Sequence, residues 1–396
     1  MRLLFLTHRL PYPPDKGDKI RSFHLLGHLA RRHEVHLATL VDDAADLRHL
    51  ELLRGRVSSL AMARIDGPLR RPLASLALLR GASASVAYFH SRSLQQQVDA
   101  LLDAHDFDAV FCYSSPMAEY VFRSRHAAGR LAQVLKLMDF IDVDSAKWLD
   151  YAAHAPGWKA GLYRREARSL AALETRIAGE FDHLFLVSEA EIGLFPDRAA
   201  RTHLQALPNG VDLEFYTPAA DAGDPVRLVF TGVMDYWPNV EGVSWFVAEV
   251  WPLIRAAFPE AQFDIVGSRP TAAVQALAHV PGVNVTGRVE DVRGFIARAR
   301  VSVAPLRIAR GVQNKVLEAM AMGRPVVTTP QAHAGLQADA GRELLVGADA
   351  PSFAAAVLRL LHDRGYADGM GRAARACVER AYRWDLNLAA LDRVLP

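Results

Sequence analysis

The stretch Ala304-Pro305-Leu306-Arg307-Ile308-Ala309-Arg310-Gly311-Val312-Gln313-Asn314-Lys315-Val316-Leu317-Glu318-Ala319-Met320-Ala321-Met322-Gly323 decides how the chain is read. The run Val301–Ala304 that leads into it has the pattern of a short buried strand. A loop with two arginines follows, and Gly311 opens a helical segment. Leu317, Ala319, Met320 and Ala321 make that helix largely apolar, which predicts burial. Backbone N–H groups at the start of such a helix suit a diphosphate, with Arg307, Arg310 and Lys315 adding positive charge. Glu318 stands one turn beyond Lys315. A carboxylate there accepts hydrogen bonds from vicinal hydroxyls, as an acidic residue does for a ribose. The same spacing fits a surface ion pair, but a charged pair on a buried helix points to function.

Outward from this stretch the rhythm is strand, loop, helix. Arg227–Thr231, Phe263–Val266, Val283–Thr286 and Pro325–Thr328 read as strands, and Val240–Phe258 as a helical segment. Upstream the pattern breaks at the turn Leu207-Pro208-Asn209-Gly210-Val211-Asp212, and the polar stretch Pro218 to Pro225 reads as a linker. The first half repeats the rhythm, with strands at Leu3–Thr7, Val35–Leu40, Ala109–Tyr113, Val134–Met138 and Phe181–Val187, and a helix from Asp18 to Arg32. Alternation of this kind predicts an α/β chain of two doubly wound, Rossmann-like parallel sheets facing a central cleft. The divisions are set at residues 1–215, 216–375 and 376–396, the last falling in the helical pattern Arg372–Val394.

Two loops of the first half carry further candidates. Gly17, after the Pro-rich loop, allows close approach of backbone to a ligand, at a helix start that favours an anion. Asp139, Asp142 and Asp144 crowd behind the strand Val134–Met138. Asp142 and Asp144 have the spacing of a metal-holding pair, and Asp144 or Ser145 equally suits a helix cap. The reading adopted is a carboxylate that touches substrate: Asp139 and Asp142 are the catalytic candidates, orienting an acceptor hydroxyl, and no metal is expected.

Composition narrows the classes. In 396 residues, 46 Lys+Arg against 44 Asp+Glu leave a net charge of +2, which argues against a strongly basic nucleic-acid binder. Two cysteines, Cys112 and Cys377, make no disulfide framework, and no Cys/His cluster has zinc spacing. The apolar start of the chain is too short for a signal peptide, and no run reaches the ~18–20 apolar residues of a spanning helix. A cytoplasmic protein is expected. Of six lysines among forty arginines, Lys315 is the one that falls after Lys159. That lysine would present a compact ammonium to a diphosphate.

Gly311 through Pro330, with Asn314-Lys315-Val316-Leu317-Glu318-Ala319-Met320-Ala321 and Gly323-Arg324-Pro325-Val326-Val327, resembles the donor-site signature of retaining GT-B glycosyltransferases of family 4. Phe230 to Asn239, Val266-Gly267, Thr286-Gly287 and Leu207–Asp212 also fit. Within that family the chain is most similar to the sugar transferases of exosortase-linked bacterial exopolysaccharide clusters. The resemblance implies a UDP- or GDP-linked sugar donor on the C-terminal domain and a saccharide or lipid-linked acceptor on the N-terminal one. It also implies retained configuration, with no metal or other cofactor. By position, Glu318 would hold the ribose. Gly311, Val312, Asn314 and Lys315 would face the diphosphate, and Gly232 and Gly17 would be close-approach glycines. The chain departs from the family at Arg310, where the first of two glutamates is usual. It departs again at Val233 or Met234 and near Asn239, where cations are usual, and around Asp139, where a His is often found. Arg307 and Arg310 are read as supplying the missing charge. A sugar-nucleotide epimerase of this architecture and a catalytically silent sugar-nucleotide-binding scaffold are the alternatives. Arg64, Arg70, Arg71 and Arg80 around Leu73–Leu79, and the basic run Lys159–Arg176, suit peripheral contact with an anionic membrane at its inner face.

Overall fold

The structure, a computed structural model, describes residues 1–65, 67–218 and 223–395, without the side chains of residues 68, 69, 71 and 79. Residues 219–222 of the expected linker, and the Arg71 and Leu79 side chains, lie outside the described residues. The chain divides into two compact units, Met1–Pro208 with Leu388–Pro396, and Asn209–Asn387. The sequence divisions stood at 215 and 375.

The first unit holds β1 (Arg2–Thr7), β2 (Glu34–Val41), β3 (Ser59–Arg64), β4 (Ala109–Tyr113), β5 (Leu135–Ile141), β6 (His183–Leu186) and β7 (Leu204–Ala206). They form one sheet in the order β3-β2-β1-β4-β5-β6-β7, all parallel. Strands β1 and β4 are buried almost throughout, as their unbroken apolar runs require of a sheet covered on both faces. The second unit holds β8 (Arg227–Thr231), β9 (Gln262–Val266), β10 (Val283–Gly287), β11 (Val301–Ala304), β12 (Val326–Thr328) and β13 (Leu345–Val346), in the order β10-β9-β8-β11-β12-β13 and again parallel.

Three strands escape the sequence pattern, β3, β7 and β13, and all three are sheet edges. An edge strand is short and covered on fewer sides, so it lacks the apolar run that betrays a central one. Strand β5 runs three residues past its expected end at Met138, so Asp139 is a strand residue and not a loop residue. The reason is Arg21, which meets the Asp139 carboxylate inside the fold and makes a charge tolerable there. The helical segment expected over Val240–Phe258 is interrupted: Trp237–Trp245 passes through a π-turn, Phe246–Val250, into Trp251–Ala257. Pro252 lacks the N–H that an α ladder needs, and the wider turn absorbs the gap. The C-terminal helical pattern also breaks. A helix Arg364–Ala381 ends before Tyr382, and short helical turns follow at Trp384–Leu388 and Leu391–Arg393. Asp392 is tied to His28 (2.9 Å) and Arg32 (3.1 Å) within the first unit.

In each sheet the strand order reverses once, at β1/β4 and at β8/β11. Loops leaving the carboxyl ends of such a pair diverge to opposite faces and open a crevice, where ligands of doubly wound sheets bind.

Candidate functional site

The reversal point of the second unit gathers most of the residues singled out above. On its β8 side the chain turns at Gly232, whose N–H donates to Val266 O (3.0 Å). A Cβ on the neighbouring Gly267 would sit 1.6 Å from Gly232 O, so two backbones touch where side chains would keep them apart. On its β11 side the loop runs through Gly311, whose φ of 59° is left-handed. Its carbonyl oxygen would lie 2.0 Å from a Cβ on Gly335. The helix Asn314–Ala321 then starts, burying Val316, Leu317, Ala319, Met320 and Ala321 against Ala374, Cys377, Val378 and Tyr382.

Lys315 joins the two sides. Its Nζ donates to Asn239 Oδ1 (2.8 Å) and lies 4.9 Å from the centre of the Phe230 ring. Asn239 is buried and spends its own Nδ2 on Val233 O (2.8 Å), a bond that fixes which amide atom faces the lysine. Burial pushes the Lys315 ammonium down to about 8, although the nearby Glu318 opposes the shift. Burial pushes Glu318 up to about 7, against the pull of Lys315 and of a hydrogen bond from the Tyr216 hydroxyl. Tyr216 is in turn held far above the ordinary phenol range, by burial and then by the Glu318 charge. Its backbone is fastened by Arg375, which donates to Tyr216 O (2.8 Å). Near neutrality the site therefore holds a lysine that is mostly charged and a carboxyl close to its midpoint, both in poorly solvated positions and each fixed by a neutral partner. Such a pair can meet an anionic group and a diol at the same time.

The other expected residues fall as follows. Asn314 accepts from Asn209 Nδ2 (3.2 Å), and Val312 packs on the cluster beneath the helix. Arg310 gives its carbonyl to Gln313 Nε2 (2.8 Å). Arg307 is half-exposed, pairs with Glu241 and lies 5.5 Å from the centre of the Trp245 ring. Gly17, Asp139 and Asp142 belong to the first unit. Gly17 opens the helix Gly17–Leu29. Asp139 is fully buried, its oxygens taken by Arg21 Nε (2.6 Å) and an Arg21 terminal nitrogen (3.1 Å), and Asp142 is partly buried nearby. Sequence reading missed Tyr216, Phe230 and the anchoring role of Asn239. Tyr216 lies just past the Pro208–Asp212 turn, and nothing in its spacing says that it returns to Glu318.

Residues 225–363 match the family described as glycosyl transferases group 1. A GDP-mannose-dependent monoacylated alpha-(1-6)-phosphatidylinositol monomannoside mannosyltransferase of Corynebacterium glutamicum is 28% identical over 241 residues, which is 56% of this chain and 63% of that protein. Sucrose-phosphate synthase from Thermosynechococcus elongatus superposes over 100% of this chain and 98% of its own, with a TM-score of 0.72 at 18% identity. Anabaena HepE in complex with UDP-glucose superposes over 100% and 99%, with a TM-score of 0.71 at 13% identity. The chain thus has the GT-B fold, two Rossmann-like parallel-sheet units, and the match to the glycosyl transferases group 1 description falls within its second unit.

Proposed function

We propose that the protein is a retaining, metal-independent glycosyltransferase that moves a hexose from a UDP- or GDP-linked donor to a saccharide or lipid-linked saccharide. The observation that carries this reading is the Lys315–Glu318 pair at the reversal point of the second sheet, with Asn239 and Tyr216 as its anchors. Lys315 and the N–H groups at the helix start meet the diphosphate, and Glu318 takes the ribose hydroxyls. The mannosyltransferase relative is named for a GDP-mannose donor, and the HepE complex holds UDP-glucose, so both bases remain in the test set. Glycosyl transfer passes through an oxocarbenium-like state while the departing diphosphate gains charge. A preorganised ammonium and backbone donors stabilise that charge more in the transition state than before it. A donor phosphate oxygen takes the acceptor's proton, so no protein nucleophile is needed, and Asp139 and Asp142 order the first unit's strand end for the acceptor.

We assign the acceptor to exopolysaccharide or cell-envelope synthesis, and with it a place for the protein at the inner face of the membrane. Among the described residues no helix is long and apolar enough to cross a membrane. Leu73, Leu76, Leu149 and Trp158 are nevertheless exposed, the last at 72%, and so are Arg80, Lys159, Arg164 and Arg168, on or next to the helices that carry Leu73, Leu76 and Trp158. Apolar and cationic side chains mixed in this way suit an anionic lipid surface. Flotation with phosphatidylglycerol vesicles tests it, and a chain that stays at the bottom of the gradient removes the membrane from the reading.

Incubation with UDP- and GDP-sugars, with EDTA present, tests the enzyme. Nucleoside diphosphate release that rises with added saccharide or lipid extract is the expected result. Donor consumed without an acceptor, giving an epimeric sugar nucleotide, would assign an epimerase. Binding without turnover would favour the scaffold that Arg310 suggests.

A further inference from the structure

Away from the strand ends, the first unit carries a basic groove between two helices. Residues 67–89 contain no Asp or Glu, and the first half of the helix Gly157–Glu180 sets Lys159, Arg164, Arg165 and Arg168 against one acid, Glu166. That helix packs against Gly67–Leu79. Beside this contact Gly81, Arg165, Arg168, Ser169 and Ala172 line an open groove of about 520 Å³. The four helical residues share a face, because positions three, four and seven apart align on an α-helix. Gly81 makes the room. Its φ of 89° is left-handed, and a Cβ there would lie 3.2 Å from a terminal nitrogen of Arg165, so the guanidinium rests close to bare backbone.

The one acid does not neutralise this face. Glu166 is fully buried, and its oxygens accept from Ser83 Oγ (2.8 Å) and from the backbone N–H groups of Ala84 (2.7 Å) and Ser85 (2.9 Å). Among the described residues neither Arg165 nor Arg168 has a carboxylate within ion-pair distance or an acceptor for its N–H groups. Other partly buried arginines are paired: Arg9 with Asp18 and Asp42, Arg227 with Asp224 and Asp264, Arg375 with Glu379. Arg165 is partly buried as they are. A guanidinium drawn partly out of water with no counter-charge loses hydration that nothing replaces, and two of them in one groove repel. An anion held between them removes both costs. The donors say which anion. Two planar forks and the Ser169 hydroxyl suit the tetrahedral oxygens of a phosphate better than the two coplanar oxygens of a carboxylate. The groove is also larger than a bare phosphate and leaves room for the group esterified to it.

We propose that this groove binds the phosphate of a phosphate ester, with Arg165, Arg168 and Ser169 as its donors. Trp158 on the same helix, and Leu73 and Leu76 on its neighbour, are exposed, which favours an anionic lipid headgroup over a soluble ester. The lipid source rests on the membrane contact proposed above; the groove itself does not.

The test is calorimetric titration of the full chain with glycerol phosphate and with dihexanoyl phosphatidylglycerol below its micellar concentration. Saturable binding of both is expected, the lipid binding more tightly. Arg168→Gln removes one fork, and Ala172→Glu sets a carboxylate in the groove while leaving both arginines. Each should weaken binding at least about tenfold. Both positions are exposed, so an unchanged melting temperature shows that the fold is intact. Arg165→Lys keeps the charge but loses the fork and should also weaken binding. Arg164→Gln removes the same charge from outside the groove and should bind nearly as the natural chain does. No saturable binding of either ester overturns the proposal, and so does an Arg164→Gln loss equal to that of Arg168→Gln, which would mean diffuse attraction without a site. Flotation with phosphatidylglycerol vesicles separates the sources. A natural chain that floats while Ala172→Glu floats less supports the lipid headgroup. Glycerol phosphate bound with no flotation keeps the groove, assigns it a soluble phosphate ester and removes the membrane reading alone. Flotation with no binding of either ester sinks the groove and leaves the membrane reading standing.

Discussion

Lys315→Met removes one charge and little else. The methionine stem keeps the apolar contact with Phe230, and Asn239 retains its bond to Val233. In the natural chain the ammonium is partly buried and already oriented by a 2.8 Å bond to Asn239, so little ordering cost remains when a diphosphate arrives. A hydrogen bond to a charged group in such a place contributes about 1.5–3 kcal/mol, which is about tenfold to a hundredfold in affinity. Calorimetric titration with UDP and GDP at pH 7 should show that loss in Kd. The pH dependence sharpens the test. Because burial holds Lys315 at about 8, its charge is present below that pH and lost as pH rises through it. Affinity in the natural chain should therefore fall between pH 7 and 9, and the Lys315→Met chain should lack that fall. Lys315→Arg should not restore binding, since a planar guanidinium cannot replace a compact ammonium at a site built around one Asn oxygen. If Lys315→Met binds both nucleotides as tightly as the natural chain, the diphosphate is held elsewhere and the argument from this helix fails.

Glu318 titrates in the opposite sense. Its folded value of about 7 lies above the ordinary 4.5, so the stability it contributes is full below 4.5 and lost as pH rises through about 7. Glu318→Gln should abolish that loss, seen as a melting temperature that changes less between pH 5 and pH 8, while lowering kcat/KM for donor about tenfold to a hundredfold. Tyr216→Phe should move the acidic limb of the kcat/KM profile upward, because the hydroxyl is one of the groups that lowers Glu318. Gly267→Ala should cost about 3 kcal/mol or more, since its Cβ falls 1.6 Å from a backbone oxygen that has no room to move; urea unfolding measures it. Asp139→Ala strands the fully buried Arg21 charge and should cost about 3–5 kcal/mol, whereas Arg21→Met with Asp139→Leu should recover most of the loss in the same assay.

The central strands were legible because each is a buried apolar run between polar turns, and β4, β8 and β11 begin and end where that pattern places them. The helix of the candidate site was legible for a similar reason: an apolar segment that keeps Lys315 and Glu318 has few ways to do so without a ligand. The edges β3, β7 and β13 were not, since an edge needs fewer apolar residues. Arg307 and Arg310 looked interchangeable with Lys315 as sources of charge, and only packing shows Arg307 committed to Glu241.

Local order and periodicity thus determined the class of fold, the two parallel sheets and the helix that carries the candidate donor site, because those follow from contacts between near neighbours in the chain. Tertiary structure alone decided which partners the charges have. Lys315 meets Asn239 across 76 residues, Asp139 meets Arg21 across 118, and His8 meets the ring of Tyr113 from the neighbouring strand. A charge takes its pKa and its availability from whatever packs against it, and in a parallel sheet those neighbours arrive from distant loops at the strand ends.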